Sequence, residues 1–103
     1  MDVAIDSEVV QEILHVLSRR DLRLEAAQVA RWAMDLVPDV LPVRRDEMVL
    51  ACALMERSGL NSRDAVHVAT MRLNGLTDIL TADRHFASIE GVRRLDPATW
   101  VLA

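Results

Sequence analysis

The sequence contains no lysine and no tyrosine, and it has only one cysteine, three glycines and three prolines. With Cys52 alone the chain cannot form an internal disulfide bond, which is typical of a protein in the reducing cytoplasm. The glycines and prolines are scattered, so no linker, repeat or low-complexity segment is visible. We therefore expect one cytoplasmic domain over residues 1–103.

Long apolar runs are missing as well. The longest, residues 48–55, is far shorter than the roughly 20 residues of a membrane-spanning helix. The amino terminus lacks the basic and apolar regions of a secretion signal. The net charge of -4, from 12 Lys+Arg and 16 Asp+Glu, argues against nucleic-acid binding driven by overall charge alone. A local basic surface remains compatible with this balance, and no membrane association is expected.

The 51% of apolar residues is arranged in patterns that predict alternating strands and helices. The predicted elements are a strand at 3–5, a helix after caps at 6–7, a helix at about 24–37 and a strand at 40–43. A third helix is predicted from a cap at Asp46 to about 57, with Gly59 as its glycine C-cap, and a fourth at about 63–74 after a cap at Asn61 and Ser62. A strand at 78–81, a helical turn at 84–88 and a strand at 92–95 complete the prediction. This order indicates an α/β sandwich with a mainly parallel sheet. Leu24, Met34, Trp32 and Trp100 are expected in the core.

Two aspartates are predicted to meet at one edge of the sheet. In such a fold the amino end of a helix lies at the edge where the carboxyl ends of the parallel strands lie, so Asp64 and Asp83 fall together, with Asp6 nearby. The helix of Asp64 is apolar around most of its circumference, and a carboxylate that faces a core needs a partner, a cation or a metal. The plainer interpretation is a first-turn acid favoured by the helix dipole.

Glu12 is the third carboxylate that can reach this edge. It shares a helical stripe with Glu8, Gln11 and His15, which is typical of a solvated face. The functional alternative is that its longer side chain reaches into the crevice beyond the strands. Three carboxylates without cysteine or histidine at close metal-ligand spacing suit Mg²⁺ or Mn²⁺. An ion of this kind supports phosphodiester hydrolysis by activating water and neutralising phosphate charge.

The three histidines give no metal-ligand pattern of their own. His15, His67 and His85 are far apart in the sequence, and we expect each to have a structural or surface role.

Four segments together resemble one known family. They are SxxxxEILH at 7–15, SRDAVHVA at 62–69, TADRHF at 81–86 and GVxxLDP at 91–97. In order and spacing they resemble the PIN domain, and more narrowly the VapC-type toxins of bacterial toxin-antitoxin pairs. The resemblance covers nearly the whole chain and implies a three-layer α/β sandwich.

The resemblance also implies an activity. Domains of this type are metal-dependent ribonucleases, and the match places their acidic metal ligands at Glu12, Asp64 and Asp83, with Mg²⁺ or Mn²⁺ as the ion. Thr81 would orient the cluster by hydrogen bonding. The implied partners are an RNA substrate and a cognate antitoxin, with Arg63 and Arg84 as candidate contacts to either.

One departure from the family pattern is large. Family members begin with a central strand that ends in a metal-binding Asp, whereas this sequence starts near what would be the second strand. We therefore expect compensation, either by direct pairing of the strand at 3–5 with the strand at 78–81 or by pairing with a second chain in a homodimer. Asp6 could substitute in part for the missing ligand.

Three functions are compatible with the sequence. The first is a metal-dependent endoribonuclease, the toxin of a type II toxin-antitoxin pair. The second is a catalytically impaired, truncated PIN domain that acts as a binding or dimerisation module. The third is a small acidic domain whose carboxylates are only surface charges, and divalent ions would then leave its stability unchanged.

Overall fold

Strands and helices alternate along the chain in the predicted order. The computed structural model describes residues 4–37, 39–81 and 83–96. Its elements are β1 (Ala4–Asp6), α1 (Ser7–Ser18), α2 (Arg23–Leu36), β2 (Asp39–Leu41), α3 (Arg45–Ser58), α4 (Ser62–Leu73), β3 (Asp78–Leu80), a 3₁₀ turn (Arg84–Ser88) and β4 (Arg93–Leu95). The α/β fold class is confirmed. The chain divides into two units, Met1–Thr70 and Met71–Ala103.

The sheet of the first unit joins segments that are distant in sequence. β1 pairs with β2 in parallel, with Ala4 opposite Asp39 and Asp6 opposite Leu41. Helices α1 and α2 pack against each other and form the connection between the two strands. The backbone N–H of Val43 donates to Ser7 Oγ at 3.2 Å, so the chain after β2 is tied to the start of α1.

The amino ends of the helices explain where they begin. Asp6 caps α1, as predicted, because its Oδ1 accepts the Val9 N–H at 3.0 Å. The predicted cap of α3 at Asp46 is wrong. The cap residue is Arg44, whose N–H donates to Glu47 Oε2 at 3.0 Å. Any residue can supply that backbone donor, so a pattern that looks for a polar cap side chain misses it.

Glu47 is a charged residue without solvent exposure, and its surroundings account for this. Its relative exposure is 0%. Burial alone would raise the pKa of Glu47, but hydrogen bonds from its own backbone and that of Arg44, together with the Arg44 guanidinium, outweigh burial and lower the pKa. The carboxylate therefore stays charged while it joins the first turn of α3.

Small side chains dominate the core of the first unit. Its buried apolar residues are Ala26, Ala30, Ala51, Leu54, Leu60, Ala65, Val66, Val68 and Ala69. The predicted burial of α4 is confirmed by this set. On α2 the prediction is wrong for Leu24, which is 66% exposed, and for Trp32, which is 64% exposed. The large apolar residues of α2 thus point outward, while its alanines allow close packing. Trp100 lies outside the described residues.

The second unit is built around a second parallel strand pair. β3 and β4 align Asp78 with Arg93 and Leu80 with Leu95. Arg93 donates to both oxygens of Asp78, at 3.0 and 2.6 Å, and this hydrogen-bonded pair lowers the pKa of the Asp78 carboxyl. After β3 the chain enters the 3₁₀ turn, where Phe86 is buried.

The four described strands form two separate sheets of two strands. Direct pairing of β1 with β3 and pairing with a second chain both stay predictions. Within the described residues, no helix is long and apolar enough to cross a membrane.

Candidate functional site

Glu12 is half-buried and contacts α4. Its Oε2 lies 3.0 Å from Nη2 of Arg63, and its side chain is 31% exposed. Glu8, one turn earlier on α1, lies 3.9 Å from Nε of the same arginine. Positions four residues apart share one helix face, so a single guanidinium from α4 holds both acids. The reach of Glu12 into the crevice beyond the strands stays a prediction.

Asp64 is buried at the start of α4. Only 7% of the residue is exposed. Its N–H donates to Asn61 Oδ1 at 2.9 Å, and Asn61 Nδ2 donates back to Asp64 Oδ2 at 3.1 Å. Asn61 therefore caps α4, as predicted, and fixes the direction of the Asp64 carboxylate. The burial expected from the apolar circumference of this helix is confirmed.

A second cluster lies one turn further along α4. His67 Nδ1 is 2.5 Å from Asp6 Oδ2, and its Nε2 is 3.6 Å from Glu8 Oε2. Burial would lower the pKa of His67, but the hydrogen bond and charge of Asp6, with the charges of Glu8 and Asp64, outweigh burial and raise it. The His67 ring therefore bridges the end of β1, the start of α1 and α4.

The sequence predicted only a structural or surface role for His67, and it did not predict this cluster. Its partner Asp6 is 61 positions away, which no local spacing reveals. The available signal was the position of His67 three residues after Asp64, which puts both side chains on one face of α4.

Asp6, Glu8 and His67 form a group that could hold a divalent cation when the imidazole of His67 is neutral. One ligand atom from each of Asp6, Glu8 and His67 lies within 4.8 Å of the others. Glu8 Oε2 is an inaccessible oxygen with no hydrogen bond to a described residue. Glu12 and Asp64 belong to the same unit as Asp6 and Glu8. These four carboxylates outnumber the α4 side chains that contact them, Arg63 and His67, and carboxylate oxygens are the ligands that Mg²⁺ and Mn²⁺ prefer.

Asp83 and Thr81 lie just after β3 in the second unit. The Asp83 N–H donates to Thr81 Oγ1 at 3.1 Å, and Asp83 Oδ1 accepts the His85 N–H at 2.9 Å, which caps the 3₁₀ turn. Thr81 is itself held, because its N–H donates to Leu95 O and its carbonyl accepts from Arg94. Asp83 is exposed at this turn.

The set of predicted site residues is thus divided between the two units. Glu12, Arg63 and Asp64 belong to the first, and the structure connects them, since the residue that pairs with Glu12 directly precedes Asp64. Thr81 and Asp83 belong to the second, where they contact each other, and Arg84 follows them on the exposed turn. The meeting of Asp64 with Asp83 stays a prediction.

One known protein family matches most of the chain. The sequence profile of the PIN domain matches residues 2–92. The chain therefore belongs to the PIN domain family.

Similar proteins within the family show which kind of PIN domain the chain resembles. The VapC ribonuclease Mb1869c of Mycobacterium bovis and ribonuclease VapC13 of Mycobacterium tuberculosis are each 39% identical over 95 residues, which cover 87% of this chain and 70% of the relative. A solved toxin-antitoxin complex from Klebsiella pneumoniae shares the fold with a TM-score of 0.68 at 24% identity, covering 89% of this chain and 72% of that one. The resemblance to VapC-type PIN domains is confirmed.

Proposed function

We propose that this chain is a divalent-metal-dependent endoribonuclease and the toxin of a type II toxin-antitoxin pair, acting in the cytoplasm. Its membership of the VapC-type PIN domains supports the reaction class. The observation that carries the proposal to particular residues is the buried, capped Asp64 beside the Arg63–Glu12 pair. A surface acid would need no such support, whereas a ligand must be held in one direction.

Three carboxylates of this chain supply the proposed ligands for Mg²⁺ or Mn²⁺, namely Glu12, Asp64 and Asp83. When bound, such an ion activates a water molecule and stabilises the charge that grows on the phosphate. Asn61 orients Asp64 through two hydrogen bonds, and Thr81 fixes the backbone that presents Asp83. Each of these contacts removes freedom that would otherwise misplace a ligand.

Two arginines are the proposed contacts to RNA or to acidic side chains of an antitoxin. Arg63 is 57% exposed in its side chain, and Arg84 lies exposed directly after Asp83. A guanidinium can donate two parallel hydrogen bonds to a phosphate or a carboxylate, so both partners suit it. Asp6, the last residue of β1, remains a proposed partial substitute for the missing metal ligand.

The proposal is tested by cleavage of a structured RNA by the purified chain with Mn²⁺ or Mg²⁺. We expect Glu12→Gln, Asp64→Asn and Asp83→Asn each to lower the rate on the order of 100-fold or more, since the ion would be lost or misplaced. Asp35→Asn, an exposed acid on α2, is the matched control and should cut like the parent. Equal cleavage by the parent and by Asp64→Asn would rule out this site.

A binding module without turnover is the second candidate. It is supported by an exposed apolar surface on α2, where Leu24 is 66%, Trp32 64% and Leu36 62% exposed. Such surfaces are typical of protein contacts, and a homodimer or an antitoxin complex would cover them. Oligomerisation or peptide binding in a chain that leaves RNA intact with either ion would favour this function over the first.

A further inference from the structure

Arg63 occupies the place where a divalent ion would compete for Glu12. Its Nη2 lies 3.0 Å from Glu12 Oε2, and its Nε lies 3.9 Å from Glu8 Oε1. The guanidinium thus bridges two acids on one face of α1. An oxygen held by a guanidinium at this distance is a poorer ligand, because its lone pairs and its charge are already engaged.

Arg63 and His67, the two α4 side chains that contact the acids of α1, differ in their freedom to move. The His67 side chain is only 16% exposed and is wedged between Asp6 and Glu8. The Arg63 side chain is 57% exposed, so it can rotate into solvent without opening the core. When a divalent ion binds the acids, charge repulsion therefore displaces Arg63 and leaves His67 in place.

We propose that Arg63 is a metal-gated positioning residue, which clamps Glu12 until a divalent ion binds and is then released to contact a phosphate of the RNA. This inference rests on the proposed function, because it takes Glu12 as a metal ligand. It adds regulation of metal binding to that site, because Arg63 neutralises either the acids of α1 or a phosphate of the substrate.

The gating couples the two ligands of the site. Metal binding frees Arg63 for a phosphate, and a phosphate that holds Arg63 frees Glu12 for the metal. By thermodynamic linkage each ligand must raise the affinity for the other by the same factor. Removal of the guanidinium should therefore strengthen metal binding and weaken RNA binding.

Because the proposal predicts opposite changes in metal affinity and RNA affinity, the test measures both. Mn²⁺ affinity is measured by titration calorimetry without RNA, and kcat and KM are measured with RNA at saturating Mn²⁺. We expect Arg63→Gln to bind Mn²⁺ about two- to fivefold more tightly, the factor that corresponds to the coupling of a partly exposed ion pair. We expect its KM for RNA to rise while kcat changes little.

Two further variants separate gating from other effects. Arg57→Gln removes an exposed arginine of the same unit near the end of α3 and controls for the loss of one positive charge. Arg63→Lys keeps the charge and should restore most of the competition for Glu12. Thermal unfolding of each variant without metal confirms that the fold is retained.

Each outcome has a defined meaning. Tighter Mn²⁺ binding by Arg63→Gln than by Arg57→Gln, with a raised KM, supports the gate. Weaker or unchanged Mn²⁺ binding by Arg63→Gln overturns it and makes Arg63 a structural tether. The ligand assignment is checked separately, because Glu12→Gln must lose Mn²⁺ affinity. If Glu12→Gln binds Mn²⁺ like the parent, the proposed site and the gate both fail.

Discussion

His67 is held by acids from two other elements of its unit. Asp6 at the end of β1 contacts one ring nitrogen, and Glu8 in the first turn of α1 lies near the other. These charges raise the pKa of His67 in spite of its burial. Because the unfolded chain has no such partners, protonation of His67 is linked to folding.

This linkage predicts how stability changes with pH. The folded pKa lies above the unfolded value of about 6.5, so the stabilisation is fully present below that value and is lost as pH rises through the folded pKa. We expect the free energy of unfolding, measured by urea denaturation with a chelator, to fall over this window in the parent. His67→Gln should remove that part of the pH dependence, and the exposed control His15→Gln should retain it. An unchanged slope in His67→Gln would contradict the assignment.

Some individual residues were predictable and others were not. The burial of Asp64 followed from the apolar helix around it. The resemblance to the PIN domain implied an orienting hydrogen bond from Thr81, and Thr81 Oγ1 accepts the Asp83 N–H. The Arg63–Glu12 pair and the Asp6–His67 contact were not predicted, because their partners lie in different elements. Local patterns identify which residues a helix buries, but not which distant side chain they meet.

The end of α3 depends on one glycine. Gly59 has a φ of +67°, and its N–H donates to Met55 O at 3.2 Å, which closes the last turn. A Cβ at this position would meet nothing within 4 Å, so space does not restrict the residue. The left-handed backbone alone requires glycine here, as the sequence indicated.

Substitution of this glycine should therefore cost backbone strain only. We expect Gly59→Ala to destabilise the chain by about 1 kcal/mol, which lowers the melting temperature by roughly 4–8 °C in a domain of this size. Gly59→Asn should lose less, since asparagine tolerates the left-handed region. Thermal unfolding followed by circular dichroism measures both. Equal losses for Ala and Asn would point to a cause other than the backbone conformation.

Element boundaries were predicted closely where a side chain marks them. Asp6 and Asn61 cap α1 and α4 as expected. The start of α3 was misplaced because Arg44 caps through its backbone with Glu47 reaching back. On α2, periodicity could not distinguish the alanine face from the face that carries Leu24, since both are apolar.

At the scale of the whole molecule, the order of elements was predictable and the strand pairing was only partly so. Parallel pairing follows from the alternation of strands and helices, and both observed pairs are parallel. Which strands become neighbours depends on contacts between residues far apart, such as Ile5 with Val40. A short strand of three residues carries too little pattern to choose its partner.

A bound ion should stabilise the whole chain if the proposed site is correct. A ligand that binds only the folded state adds about 2.7 kcal/mol to the free energy of unfolding at one hundred times its Kd. We expect Mn²⁺ to raise the melting temperature of the parent and to have little effect on Asp64→Asn. The buffer contains no Ca²⁺, which would compete with Mn²⁺. A matched ionic strength controls for the screening of charges by salt. A melting temperature that does not respond to Mn²⁺ would favour the interpretation of the carboxylates as surface charges.

The two oxygens of Asp6 serve two different elements. Oδ1 accepts the Val9 N–H of α1, and Oδ2 contacts His67 on α4. We therefore expect fraying of the first turn of α1 and release of the imidazole to be coupled. In deuterated water, the Val9 amide should exchange with solvent at the rate of this shared opening and not at the rate of an ordinary helix end, so one amide proton reports how often the acidic end of the first unit comes apart.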